Sequence, residues 1–149
     1  MIDPPRILLI AAVLSTTALG TFAYQVGRTD PSAPGRLVGE LRVAQWAALF
    51  LAAASALSMG FAMAATDGAI LNVDLTLGVG FVGYAGLIMQ SEPPTALLLA
   101  ILGFAAQALV ILAHRPGWLA PMVLPRWFAV GCAGYDVALA AICYWARRR

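Results

Sequence analysis

Five apolar stretches, at about residues 7–26, 43–65, 69–89, 94–113 and 127–145, follow one another along the chain, and only two carry an acid in their interior, Asp74 and Asp136. Runs of about 20 apolar residues match the hydrocarbon thickness of a bilayer. In lipid every backbone polar group has to be satisfied internally, which leaves helices as the spanning structure for such runs. The sequence therefore predicts an all-α integral membrane bundle of five transmembrane helices, forming one domain over residues 1–149. An apolar fraction of 62% against a charged fraction of 11% excludes a soluble domain, in which about a quarter of residues are charged.

The boundaries have independent support. Nine prolines fall at the N-terminus, in the linkers and at the start of the fourth span, and none lies inside a span, as expected for a residue that breaks helix interiors. Residues 27–42, with Pro31, Pro34, Gly35 and three arginines, read as a solvated loop. Thr66, Asp67 and Gly68 leave room only for a tight antiparallel hairpin. The first segment looks like a signal peptide, with Arg6 before an apolar run and small residues near Ala18 and Gly20; because the numbering starts at Met1 we expect a retained anchor. The stretch from His114 to Arg126 mixes Trp118, Leu119 and Met122 with three prolines, so it is expected in the membrane interface. Trp46, Trp118, Trp127, Tyr144 and Trp145 sit near span ends, as in an aromatic belt.

Arginine asymmetry gives an orientation. One face collects Arg6, Arg115 and Arg126; the other collects Arg28, Arg36, Arg42, Arg147, Arg148 and Arg149. This bias places the C-terminus in the cytoplasm and the N-terminus outside a bacterial inner membrane.

Lipid tails give helices no hydrophobic reason to associate, so small side chains that allow close backbone approach are the expected contact surface. Ala52, Ala56, Gly60 and Ala64 recur every four residues, and Gly80, Gly83 and Gly86 every three. Both stripes are candidate helix-packing faces. An ionisable residue within the bilayer costs about 2.5 to 3.5 kcal/mol on insertion scales and normally faces protein or water. Counting about 1.5 Å per residue from the span ends, Asp74, Asp136, Gln107, Ser58 and the Ser15 to Thr17 segment fall into one layer in the outer half of the membrane. Two accounts fit. Either these groups satisfy one another with the carboxyls neutral, or Asp74 and Asp136 form a proton or cation site with Gln107 as a neutral ligand. Tyr135 and Asn72 adjoin the acids in sequence but project from other helix faces.

Several chemistries are excluded. There is no lysine, so no Schiff base can form. The single histidine, His114, lies at a span end and reads as a solvated loop residue. Haem or chlorophyll ligation at membrane depth and Ser-His catalysis therefore lack their imidazole. No metal-ligating set is apparent, and Cys132 and Cys143, about 16 Å apart along one helix, read as packing residues. Tyr135-Asp136 is similar to the Tyr-Asp pair of presenilin-like aspartyl intramembrane peptidases, but Asp74 follows Leu71-Asn72-Val73 and not the Gly-x-Gly of that family. We therefore expect no enzymatic activity, no nucleic-acid binding and no cofactor held by side-chain ligands, which leaves lipid or pigment between helices as the cofactor class. The expected role is a small structural or accessory subunit of a larger bacterial membrane complex, respiratory or photosynthetic, with other membrane subunits and the bilayer as partners. The competing expectation is a small proton- or cation-coupled transporter or channel using Asp74 and Asp136.

Overall fold

A computed structural model describes residues 4–64, 68–114 and 126–148, with side chains for all of these except Pro4 and residues 68–72. It contains five helices, α1 (Pro4–Gly27), α2 (Pro34–Ala64), α3 (Gly68–Gln90), α4 (Pro93–Ala113) and α5 (Arg126–Arg148). Each is long and apolar enough to cross a membrane, so the chain is an all-helical, multi-pass membrane bundle in contact with lipid. The expected interfacial stretch between α4 and α5, including Trp118, lies outside the described residues, as do the residues joining α2 to α3.

α2 stands at the centre. It touches all four other helices, and α1, α5, α4 and α3 are arranged around it in that order; among the described residues α3 touches neither α1 nor α5. The reason is side-chain size. Ala44, Ala47, Ala48 and Ala54 are buried along α2, and without bulk there, neighbours approach from several sides. Larger groups fill the gaps between backbones, with Val43, Leu51, Ile88, Leu97, Phe104 and Leu139 fully buried. Leu9, Ile10, Val13 and Leu14 of α1 stay exposed, the expected disposition when the solvent is hydrocarbon.

The second helix starts nine residues earlier than the apolar pattern indicates, at Pro34 instead of Val43. Its 31 residues are about 46 Å long at 1.5 Å per residue, so its first turns extend beyond a hydrocarbon layer of about 30 Å. Hydropathy cannot detect a helix that continues into the headgroup region with polar residues. The start is set locally. Asp30 accepts hydrogen bonds from the Ser32 backbone N–H (2.8 Å) and hydroxyl (2.7 Å), which hold its carboxyl below the usual carboxylate range. Pro34 then occupies a first-turn position where its missing N–H is harmless. At the α3–α4 turn, Glu92 is extended (φ −64°, ψ 151°) ahead of Pro93 and Pro94, which restrict the residue before them in that sense.

Arg36, assigned to a loop by its sequence context, is only 4% exposed. Its Nε donates to Glu40 Oε1 at 2.6 Å, one terminal nitrogen to Thr29 O and the other to Ala146 O, both at 3.3 Å. Ala146 lies in the last turn of α5, where carbonyls lack helical partners and carry partial negative charge. One guanidinium thus ties the start of α2, the end of α1 and the end of α5 together. On the same side of the bundle Tyr24 stacks on Trp145, with ring centroids 5.8 Å apart.

The small-residue stripes are mostly turned away from the other helices, with Ala52 as the member that packs against the core. Ala52 is half-buried, but Ala56, Gly60 and Ala64 are exposed. A Cβ built on Gly60, Gly80, Gly83 or Gly86 meets nothing within 4 Å. Close approach occurs at other glycines: Gly39, where a Cβ would lie 2.7 Å from Val26 of α1, and Gly103, where it would lie 2.8 Å from the Tyr84 ring and 2.9 Å from Leu51. Spacing of small residues marks a face that can be approached, and only the positions of the other helices decide which such face is used.

Candidate functional site

The polar layer separates into distinct groups. The first lies between α2, α3 and α4, at the end of the bundle where α2 stops, α3 starts and α4 stops. Here Ser55, Ser58, Asp74, Gln107 and His114 line a cavity of about 40 Å³, with Leu77, Gly78 and Phe81 among its apolar walls. It joins α2, α3 and α4 because Gly78 brings α3 against Met59 and the Ser55 carbonyl of α2.

His114 departs from its sequence reading. It is 8% exposed, and its Nε2 lies 3.2 Å from Asp74 Oδ1 on the neighbouring helix. Its Nδ1 lies 2.7 Å from the Val110 carbonyl. A carbonyl only accepts, so Nδ1 carries a hydrogen and donates it. The neutral imidazole then has a bare lone pair on Nε2. Its contact with Asp74 requires one proton between them, either on the carboxyl as O–H···N or on the ring as N–H···O. The ring also sits at the carbonyl end of α4, where positive charge is favoured.

Gln107, 5% exposed, is oriented by a similar argument. Ser55 Oγ gives its hydrogen to the Leu51 carbonyl at 2.8 Å, so it can only accept from Gln107, whose Nε2 approaches at 3.4 Å. The opposite oxygen, Gln107 Oε1, is buried with no hydrogen-bond partner among the described residues. Ser58 likewise donates to a backbone carbonyl, Ala54 O at 3.2 Å, and presents lone pairs.

Asp136 belongs elsewhere. It lies near the middle of α5, about 15 Å from Arg126 along the axis, on the face that also buries Phe128, Leu139, Cys143 and Ala146. Its exposure is 0%, and among the described residues neither carboxyl oxygen has a partner and α5 does not touch α3. The layer therefore brings Asp74, Gln107 and Ser58 together and leaves Asp136 apart, so no shared Asp74–Asp136 centre is assembled. Ser15 of α1 reaches Tyr135 Oη at 3.0 Å, a third separate contact. The Asn72 side chain lies outside the described residues. Sequence counting along helices gives depth and not azimuth, so groups at one height are spread around the bundle.

A buried polar group without a partner costs about 1 to 3 kcal/mol. Asp136→Val is accordingly expected to raise stability by about 1 kcal/mol or more in unfolding measurements on the purified protein. A loss of stability would show that the carboxyl has a favourable partner.

Beside the cavity and sharing Leu77 and Phe81 with it, an apolar groove of about 520 Å³ runs on the outside of α3 and α4, lined by Gly80, Tyr84, Gly103, Ala106 and Leu109 among others. It has the character of a surface that takes an acyl chain or an apolar ring. Among the described residues no cluster of three or more His, Cys, Asp or Glu side chains is placed to hold a metal. The chain matches no protein-family model, no curated protein and no solved structure.

Proposed function

We propose that this chain is a small multi-pass subunit of a larger assembly in the bacterial inner membrane, of the respiratory or photosynthetic kind, with its N-terminus outside and its C-terminus in the cytoplasm. The observation that carries this reading is the outward direction of the small-residue stripes. Ala56, Gly60 and Ala64 on α2, with Gly80 and Gly83 on α3, are exposed, and the glycines have open space where a side chain would stand. A helix of another subunit could approach these backbones closely, the arrangement by which helices associate in lipid. The arginine asymmetry supports the orientation.

The test is purification from its native membrane in mild detergent. Co-migration with larger subunits is expected, and Gly60→Leu and Gly83→Leu should release the chain from them while the isolated chain is no less stable than before. A chain that migrates alone, or variants that stay associated, would overturn the proposal. The second reading, movement of a proton or cation, is favoured by the acid–imidazole cavity. It would proceed through Asp74 and His114, with Asp136 taking no part.

A further inference from the structure

We infer that the cavity between α2, α3 and α4 is a hydrated proton-binding site, in which the Asp74–His114 pair holds one exchangeable proton and water links that pair to Gln107 and Ser58. This does not depend on the subunit reading and assigns a ligand that the assembly role leaves open.

Three observations carry it. First, the donation from His114 Nδ1 to Val110 O fixes the ring so that the contact between Nε2 and Asp74 Oδ1 accommodates one proton and no fewer. Removing it would set a carboxylate against a nitrogen lone pair. Second, the valences that Gln107 and Ser58 bring to the cavity are acceptors. Gln107 Oε1 has no partner among the described residues, and the Ser58 hydrogen is committed to Ala54 O. Such a lining repels anions and is satisfied by a molecule that brings hydrogen-bond donors. Third, a cavity of about 40 Å³ exceeds the 10 to 15 Å³ or so that one water needs, and two to four polar partners are what a buried water uses. A water there donates to Gln107 Oε1 and to Asp74 or Ser58, and its oxygen can receive or release the proton.

The proton exchanges without leaving the pair bare: as the O–H or N–H bond on Asp74 or His114 breaks toward the cavity water, a hydrogen of that water forms the replacement bond, so the pair holds one proton before and after. Among the described residues no other charged side chain lines the cavity: α2 presents Ser55 and Ser58, α3 presents Asp74, and the buried acid of α5, Asp136, is not part of the lining. Arg115, next to His114 in sequence, lies outside the described residues.

His114 is the only histidine in the chain, which makes the test direct. The full protein, purified with a histidine-free tag and placed in lipid vesicles, would be labelled with ¹⁵N in the imidazole and followed by solid-state NMR across pH. We expect Nδ1 protonated throughout, a single hydrogen-bonded Nε2 signal, and magnetisation transfer from water to Nε2. Asp74→Asn should move the Nε2 resonance, because the carboxyl that shares its proton is gone. Asp136→Asn should leave it unchanged. Gln107→Leu and Ser58→Ala should each reduce water transfer at least about twofold while the Asp74–His114 contact persists, and these two variants test the site even if Asp74→Asn fails to fold. The inference is overturned by a dry ring with no water transfer, by an unmoved Nε2 resonance in a folded Asp74→Asn protein, or by an Nε2 resonance that moves when sodium or potassium replaces choline, which would assign the cavity to a metal cation.

Discussion

Arg36→Ala is expected to destabilise the bundle by about 3 to 5 kcal/mol, the cost of removing one partner from a buried ion pair. Arg36 and Glu40 are both largely shielded, with side-chain exposures of 5% and 14%. Without the guanidinium, Glu40 keeps its charge and loses its counter-ion, and the Thr29 and Ala146 carbonyls lose a donor. Arg36→Lys should recover only part of the loss. An ammonium can neutralise Glu40, but it lacks the planar fork with which arginine serves several acceptors at once. Replacing both partners, Arg36→Met with Glu40→Leu, should be much milder than Arg36→Ala, because the desolvated charge is removed with its partner. Denaturant titration of the purified protein in detergent checks all three. Native-like stability of Arg36→Ala would show that the contacts at the ends of α1, α2 and α5 carry little energy.

The second large effect is a reversal of sign between glycines. Gly39→Ala sets a methyl against Val26, whose branched side chain has few alternative rotamers. Gly103→Ala sets one against the Tyr84 ring, which is pinned by the 3.0 Å hydrogen bond from Tyr84 Oη to Leu99 O. Overpacking of this kind costs about 1 to 3 kcal/mol and outweighs the gain of up to about 1 kcal/mol from replacing a helical glycine by alanine. Gly60→Ala and Gly83→Ala meet nothing and retain that gain, so they should stabilise the isolated chain by up to about 1 kcal/mol. The same chemical change thus lowers the unfolding midpoint at two positions and raises it at two others. If all four variants shift alike, the close approaches of α1 to α2 and of α3 to α4 are not as tight as described.

These contrasts show where sequence reasoning reached and where it stopped. The five helices were legible because the bilayer imposes a length and a polarity on each crossing, and both are properties of a contiguous segment. Proline placement sharpened the same boundaries. The start of α2 was missed because its first turns carry polar residues such as Arg36 and Glu40, which find their partners within the protein, so no apolar signal marks them. Asp74, Gln107 and Ser58 were found through their cost in lipid, and they do share a cavity. His114 was passed over because its neighbours Arg115 and Pro116 resemble a loop; its spacing from Gln107, seven residues or two helical turns, was the available signal that both lie on one face of α4.

By itself the sequence determined that this chain forms five helices able to cross a membrane, and how the polar side chains are spaced along each of them, because hydropathy and rise per residue are local quantities. Only the tertiary structure decided which of those side chains meet. Helix rotation and neighbour order depend on contacts between segments far apart in the chain, and these placed Asp74 against His114, turned the glycine stripes outward and left Asp136 buried without a partner.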